Sequence, residues 1–165
     1  MKTFLIIIIL FAIVIYFGIR HQKQIRKKFI EMGINPDTAV KIGEYVTGHP
    51  DLIKKMPLAF VKYNNDIAFF EWNSALQPGI KAKIPVADIT NILVEDKTTM
   101  EKRITATRLL LVGIFALAWR KKNKNPLAYI TIQWNDGKFD HDTVFEFKNI
   151  EEANKVYGEL VKAAR

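Results

Sequence analysis

Residues 149–164 near the C-terminus, NIEEANKVYGELVKAA, have a pattern that predicts an amphipathic helix. Asn149 is a favourable N-cap, and Glu152 follows at the spacing of a capping box. The apolar residues recur every three or four positions and form one stripe along the helix: Ile150, Ala153, Val156, Tyr157, Leu160, Val161 and Ala164. A helix with a single apolar stripe must cover another element, and the preceding segments predict a sheet.

These preceding segments alternate or cluster their apolar residues as strands do. Asn64-Asn65-Asp66 separates two of them, and Asn135-Asp136-Gly137-Lys138 is the strongest hairpin signal in the chain. We predict strands around residues 58–63, 67–72, 80–84, 90–95, 109–119, 127–134 and 143–147. The order predicts a mostly antiparallel curved sheet or barrel of six to seven strands, closed by the C-terminal helix.

One of these segments, Leu109 to Trp119, is the continuous apolar run LLLVGIFALAW. It is too short to cross a bilayer, for which about 17 or more residues are needed. We interpret it as a strand buried on both faces, with Gly113 at a bulge or bend. A re-entrant segment that dips into the membrane is the alternative.

Near the start of the chain, Phe4 to Phe17, FLIIIILFAIVIYF, contains neither charge nor proline. The apolar stretch 3–19 would be about 26 Å long as a helix, which is a short but adequate transmembrane span. A cleaved signal peptide is the alternative, although only Gly18 supplies a small residue near the polar border. More basic residues follow the span than precede it, which predicts an outside N-terminus and a cytoplasmic C-terminal domain at the plasma membrane.

The formal net charge of +8 is concentrated beside this predicted span. The basic residues that follow the span are Arg20, Lys23, Arg26, Lys27 and Lys28. This placement favours membrane topology and anionic lipid over nucleic acid, which a folded domain would bind through its own positive surplus. A predicted basic loop offers a second candidate membrane surface, with a merely solvated loop as the alternative. Its cations are Arg120, Lys121, Lys122 and Lys124.

Between the span and the sheet, the anchor helix is predicted to continue to Met32 and to end at Gly33. Asn35-Pro36 then indicates the start of a second helix, which Gly48 would end. Its apolar stripe would be Ala39, Val40, Ile42 and Val46. The predicted division is an anchor (1–19), a basic juxtamembrane helix and neck (20–56) and a domain (57–165).

The sequence presents no catalytic constellation. It contains no cysteine, and Ser74 lacks the context of an activated nucleophile. Asp140-His141-Asp142 is the one cluster that resembles a metal site, but no further ligand has a reason to join it. We therefore expect a protein without catalysis, metal or cofactor.

Strands followed by one terminal amphipathic helix resemble the pleckstrin-homology-like (PH-like) superfold in its small bacterial form. The likeness covers residues 57–165. Three segments carry it: Ile84-Pro85-Val86-Ala87-Asp88-Ile89, Thr107-Arg108-Leu109 with the lysine-rich loop beyond, and Phe145-x-Phe147 before the final helix. Lipid-binding members place several basic residues around the first hairpin loop, whereas residues 62–66 here include one lysine. The resemblance thus implies a fold and an interaction module more than head-group recognition.

From these observations we expect a single-pass, membrane-anchored module that faces the cytoplasm. It would bind a protein partner or the anionic inner leaflet. A structural subunit of a larger membrane complex is the alternative, and an enzyme whose site is invisible in the sequence is a remote one.

Overall fold

The computed structural model describes residues 2–71, 79–100, 102 and 128–165, together with their side chains except those of residues 2–9 and 22. Helix α1 spans Lys2–Glu31, and α2 spans Ile150–Ala163. The strands between them are β1 Val40–Thr47, β2 Met56–Tyr63, β3 Asp66–Glu71, β4 Ile80–Pro85, β5 Ile89–Asp96, β6 Ala128–Asn135 and β7 Asp140–Phe147. Short 3-10 turns, Pro36–Thr38 and Val86–Asp88, precede β1 and β5.

The strands form one curved, antiparallel sheet in the order β4-β3-β2-β1-β7-β6-β5. Among the described residues, β4 and β5 each pair with one neighbour, so the sheet is not closed into a barrel. Helix α2 lies against β5, β6, β1 and β7 and buries Ala153, Val156 and Leu160. Its N-cap is Asn149, whose side-chain oxygen accepts the backbone N–H of Glu152 at 2.8 Å. The predicted antiparallel sheet with a C-terminal amphipathic helix is confirmed.

Both faces of the β2–β3 hairpin are buried. Leu58, Phe60, Ile67 and Phe69 point into the main core, which lies between the sheet and α2. The alternate residues form a second apolar cluster on the outer face, where the end of α1 covers them: Ala59, Val61, Ala68 and Phe70. The hairpin therefore links the main core to the N-terminal helix.

The predicted second helix over residues 35–48 is wrong, because Val40–Thr47 is the central strand β1. Asn35 does cap a helical turn, but that turn ends at Thr38. A β-bulge shifts the register of β1 between Lys41 and Gly43. Because a bulge adds a residue to one strand, Ile42 and Tyr45 both reach the core although they are three positions apart. The bulge thus gives this strand the three-residue spacing of apolar residues that otherwise indicates a helix.

Two predicted segments lie outside the described residues: the strand Leu109 to Trp119 and the basic loop with Arg120, Lys121, Lys122 and Lys124. The structure's seven strands therefore include β1, which the sequence assigned to the neck, and the sheet begins at Val40. The other predicted strands and both hairpin turns, at residues 64–65 and 136–139, are confirmed.

Candidate membrane-facing surface

Helix α1 carries an exposed apolar stretch between Leu10 and Ile19. The large side chains exposed there are Leu10, Phe11, Ile13, Val14, Ile15, Tyr16, Phe17 and Ile19. Within the part of the chain whose side chains are described, which for α1 begins at Leu10, no helix is long and apolar enough to cross a membrane.

The predicted cations of α1 are all exposed: Arg20, Lys23, Arg26, Lys27 and Lys28. At about 100° of rotation per helical residue, Arg20, Lys23 and Lys27 lie within about 60° of one another. They occupy the side of α1 opposite Ile25 and Phe29, which pack against the sheet. These three cations therefore point away from the domain.

The end of α1 is fixed to the domain by apolar packing and by one ion pair. The Phe29 ring centroid lies 4.9 Å from that of Phe70 on β3. Arg26 forms a two-pronged ion pair with Asp37, in which Nη1 donates to Oδ1 at 2.8 Å and Nη2 donates to Oδ2. The hydrogen bond from Arg26 lowers the pKa of the Asp37 carboxyl. Arg26 is therefore engaged within the protein, although it belongs to the predicted basic set.

Two connecting segments leave the sheet at the same end, which we call the loop end: residues 48–55 after β1 and residues 136–139 between β6 and β7. β1 finishes opposite the middle of β7, where Thr47 pairs with Val144. β7 itself begins at Asp140, directly after the 136–139 loop. Gly48 approaches β7 so closely that a Cβ atom there would lie 1.7 Å from the backbone oxygen of Asp142.

The N-terminal part of helix α1 extends on the side of this loop end. Gly33, just beyond the helix, lies beside Tyr63 near the β2–β3 turn. Phe29, one turn earlier in the helix, contacts Phe70, which lies five residues after Asn65 along β3. From Gly33 back to Phe29, α1 thus follows the hairpin away from the β2–β3 turn. The same direction leads along β2 to its start at Met56, which follows the 48–55 segment. The exposed apolar part of α1 therefore extends on the side of the loop end.

Each loop at this end displays a large apolar residue beside a lysine. Ile53 is 95% exposed and is followed by exposed Lys54. Phe139 is 66% exposed and is preceded by exposed Lys138. Folded proteins bury such side chains where they can, and an apolar tip beside a cation suits the boundary between acyl chains and anionic head groups.

The tip at Phe139 is held in place by Asp136. Its Oδ1 accepts the backbone N–H groups of Lys138 at 2.8 Å and Phe139 at 2.7 Å. Its Oδ2 lies 2.9 Å from His141 Nε2. The hydrogen bond from His141, followed by those from the backbone, lowers the pKa of Asp136 to about 2. Phe139 is therefore exposed in a turn whose conformation is held by the hydrogen bonds of Asp136.

Beside Gly43 and the start of α2, a shallow groove of about 380 Å³ is lined in part by Glu44 and Glu146. Lys55 Nζ lies 3.2 Å from Glu44 and 3.1 Å from Glu146. Burial works against the charge on Lys55, but its bonds to Glu146 and Glu44 prevail and raise its pKa. Lys55 thus pairs with two of the carboxylates that line the groove.

The Asp140-His141-Asp142 cluster is used within the β6–β7 hairpin. Asp140 accepts a hydrogen bond from Asn135 at 2.7 Å, and Asp142 accepts one from Gln133 at 3.1 Å. Among the described residues there is no group of three His, Cys, Asp or Glu side chains that could hold a metal ion. The expectations of no catalysis and no cofactor stay predictions.

Sequence reasoning missed the two apolar tips. Ile53 lies in Asp-Leu-Ile-Lys-Lys and Phe139 in Gly-Lys-Phe-Asp, so each is an apolar residue next to lysine in a segment between strands. That local signal was available. Their common end of the sheet depends on the pairing of β1 with β7, which a helix at residues 35–48 would not have allowed.

Comparison with known proteins finds no matching family model and no similar curated protein. The fold therefore defines the class: a seven-stranded antiparallel sheet with a C-terminal helix, an architecture compatible with the PH-like superfold.

Proposed function

We propose that this chain is a single-pass membrane protein whose PH-like domain lies against the anionic inner leaflet of the plasma membrane. The span would comprise residues 3–19, the domain would face the cytoplasm, and the protein would act as a binding module at the membrane surface. The apolar tips at Ile53 and Phe139, which share the end of the sheet on whose side the N-terminal part of α1 extends, carry this proposal.

The anchor is supported by sequence and exposure together. Residues 3–19 contain no charged residue, and the side chains between Leu10 and Ile19 have little protein cover. Water would oppose such a helix, whereas lipid would favour it, because each large apolar side chain moved out of water contributes about 1.5–3 kcal/mol. Arg20, Lys23 and Lys27 then follow at head-group level, where a cation contributes about 1 kcal/mol near an anionic surface.

The decisive experiment measures which side chains reach lipid in the intact protein. Because the chain has no cysteine, single cysteines can be placed at residues 53 and 139 and labelled with an environment-sensitive fluorophore. Ile150→Cys provides the matched control, since Ile150 is a large apolar residue on α2 that is also exposed, at 50%. The full chain is reconstituted in nanodiscs that contain anionic lipid and lipid-bound quenchers.

We expect quenching at positions 53 and 139 and little quenching at 150. Nanodiscs made only of zwitterionic lipid should reduce the effect, because Lys54 and Lys138 would then have no anionic partner. Equal, weak quenching at all three positions would refute the leaflet contact.

Orientation is tested separately in cells. A reporter that is active only outside the cytoplasm is fused after Arg165. Since the cations at the C-terminal side of the span predict a cytoplasmic domain, we expect no reporter activity. An active reporter would reverse the proposed topology without affecting the lipid measurement.

A further inference from the structure

The segment that carries Ile53 is anchored by a buried histidine. His49 lies at its base and is only 4% exposed. Its Nδ1 accepts the backbone N–H of Asp51 at 3.1 Å, and its Nε2 lies 3.1 Å from the backbone oxygen of Lys83 on edge strand β4. A carbonyl only accepts, so Nε2 carries the proton and the ring is neutral. The neutral ring thus ties the 48–55 segment to β4.

Protonation is incompatible with this arrangement. A proton on Nδ1 would face the Asp51 N–H, so two donors would meet where one hydrogen bond now exists. The positive ring would also lie among aromatic side chains, with ring centroids 5.2 Å from Trp134 and 6.4 Å from Phe69. Burial is the main reason that the pKa of His49 is lowered, and the bond to the Lys83 oxygen only partly offsets it.

The charged and titratable groups around His49 come from several elements. Asp51 in the same segment favours a positive ring, whereas His141 on β7 opposes it. The ring of His141 stacks on Trp134, with the ring centroids 4.4 Å apart. His141 Nε2 also lies 2.9 Å from Asp136 Oδ2. On β4, the Lys83 ammonium is directed to Asp66, 3.6 Å away. The immediate surroundings thus combine one favourable carboxylate with a second histidine and a largely apolar wall.

Tyr45 holds the segment by a second set of hydrogen bonds, and its hydroxyl does not titrate near neutral pH. The hydroxyl of buried Tyr45 donates to the backbone oxygen of Leu52 at 3.0 Å and accepts the backbone N–H of His49 at 3.1 Å. Burial raises the pKa of this hydroxyl. Of these two sets of hydrogen bonds, acidification therefore affects only those of His49. The hydrogen bonds of Tyr45 remain and keep the segment near the sheet.

We propose that protonation of His49 breaks the bond that closes the turn from His49 to Asp51 and loosens the 48–55 segment, which makes the loop end an acid-sensitive surface. Its consequence for Ile53 and lipid contact rests on the proposed function, whereas the loosening itself does not. Loss of the bond from the Asp51 N–H frees the part of the segment that precedes the tip, while Nε2 still donates to the Lys83 oxygen. Acidification then loosens the placement of Ile53, while the Phe139 tip keeps its brace because Asp136 has a pKa of about 2.

The test is hydrogen–deuterium exchange of the full chain in nanodiscs, read at the amides of Asp51 and Leu52 and corrected for intrinsic exchange at each pH. Between about pH 7.5 and about pH 5, the protection of these amides should fall at least about fivefold, the lower end of ordinary coupling between two sites. The matched variant is His49→Asn, because an asparagine side chain accepts the N–H two residues on and does not titrate. Its protection should be independent of pH.

His141→Asn serves as the control for the neighbouring histidine and should retain the wild-type fall. The idea is overturned by unchanged protection in the wild type, or by a fall that persists in His49→Asn. Should His49→Asn fail to fold, the wild-type imidazole signals are titrated by NMR. A midpoint of His49 that differs from that of the amide response would overturn the proposal. Label quenching at neutral pH reports on lipid contact alone, so the two proposals fail separately.

Discussion

The closest backbone approach at the loop end gives a sharp test of its packing. At Gly48, φ is +94°, and an added Cβ would lie 1.7 Å from the backbone oxygen and 2.6 Å from the backbone carbon of Asp142. The atoms that would have to move belong to β7, which is paired on both sides by β1 and β6. Gly48→Ala therefore cannot be relieved by a side-chain rotation.

The cost has two parts. An L side chain in the left-handed region costs about 1–2 kcal/mol. Forcing a group into filled space costs about 1–3 kcal/mol more. Gly48→Ala should therefore lower the free energy of unfolding by about 2–5 kcal/mol, which is a large fraction of the about 5–15 kcal/mol that stabilises an ordinary domain.

Two other glycines separate these parts. Gly137 has φ +87° and no atom within 4 Å of an added Cβ, so Gly137→Ala should cost only the conformational part, about 1–2 kcal/mol. Gly158 in α2 has neither constraint, and Gly158→Ala should stabilise the protein by up to about 1 kcal/mol.

The assay is urea unfolding of the full chain in detergent micelles, followed by tryptophan fluorescence. Trp134 is buried in the core between sheet and helix and should report on the loss of that core. The expected order of stability is Gly158→Ala, wild type, Gly137→Ala and then Gly48→Ala. If Gly48→Ala were no less stable than Gly137→Ala, segment 48–55 would not lie on β7 as described, and the shared loop end would be refuted.

The same unfolding assay checks three further predictions. Phe29→Ala should cost about 3–5 kcal/mol because its ring is buried against the hairpin, whereas exposed Ile30→Ala should change stability by less than about 0.5 kcal/mol; similar losses would contradict the docking of α1. Asn149→Ala should cost about 1 kcal/mol through the lost helix cap, and no loss would show that the cap is replaceable. The pKa of Asp136 lies below its ordinary 3.8, so its ionised form stabilises the fold above that pH and loses this effect as the pH falls towards 2. The stability difference between wild type and Asp136→Asn should vanish over that range, and a constant difference would contradict the hydrogen bonds to its carboxylate.

Local chemistry could be predicted because its partners lie within a few residues. The cap at Asn149 joins groups three positions apart, and the tight turn at Asn64-Asn65 joins two adjacent strands. Each depends on side chains whose preferred backbone geometry is known from their type. These signals fixed α2 and both hairpins correctly.

The strand β1 could not be predicted in the same way, because its apolar spacing is set by its partners. Gly43 has φ +86°, and a Cβ there would lie 2.5 Å from the backbone oxygen of Glu146. The bulge in β1 therefore lies where the backbone of β7 comes close to Gly43. Likewise, His49 bonds to a carbonyl 34 positions away on β4. Neither contact can be recognised from the residues next to it in the sequence. Each depends on the pairing of strands, which a helix over residues 35–48 would not have allowed.

The placement of β1 changes what the membrane contact must supply. With a sheet strand at residue 40, only a short connection separates α1 from the sheet, and the Phe29 and Asp37 contacts hold the two together. A tethered domain meets the bilayer at an effective concentration of about millimolar, so an intrinsic affinity of about 4 kcal/mol suffices for substantial contact. Transfer of Ile53 and Phe139 from water into lipid, at about 1.5–3 kcal/mol each, supplies that amount under the proposed function. Under the proposed function, a cluster of head-group ligands at the 62–66 turn is then unnecessary, which agrees with a chain that places most of its positive surplus on α1 and whose sheet and C-terminal helix are compatible with the PH-like superfold.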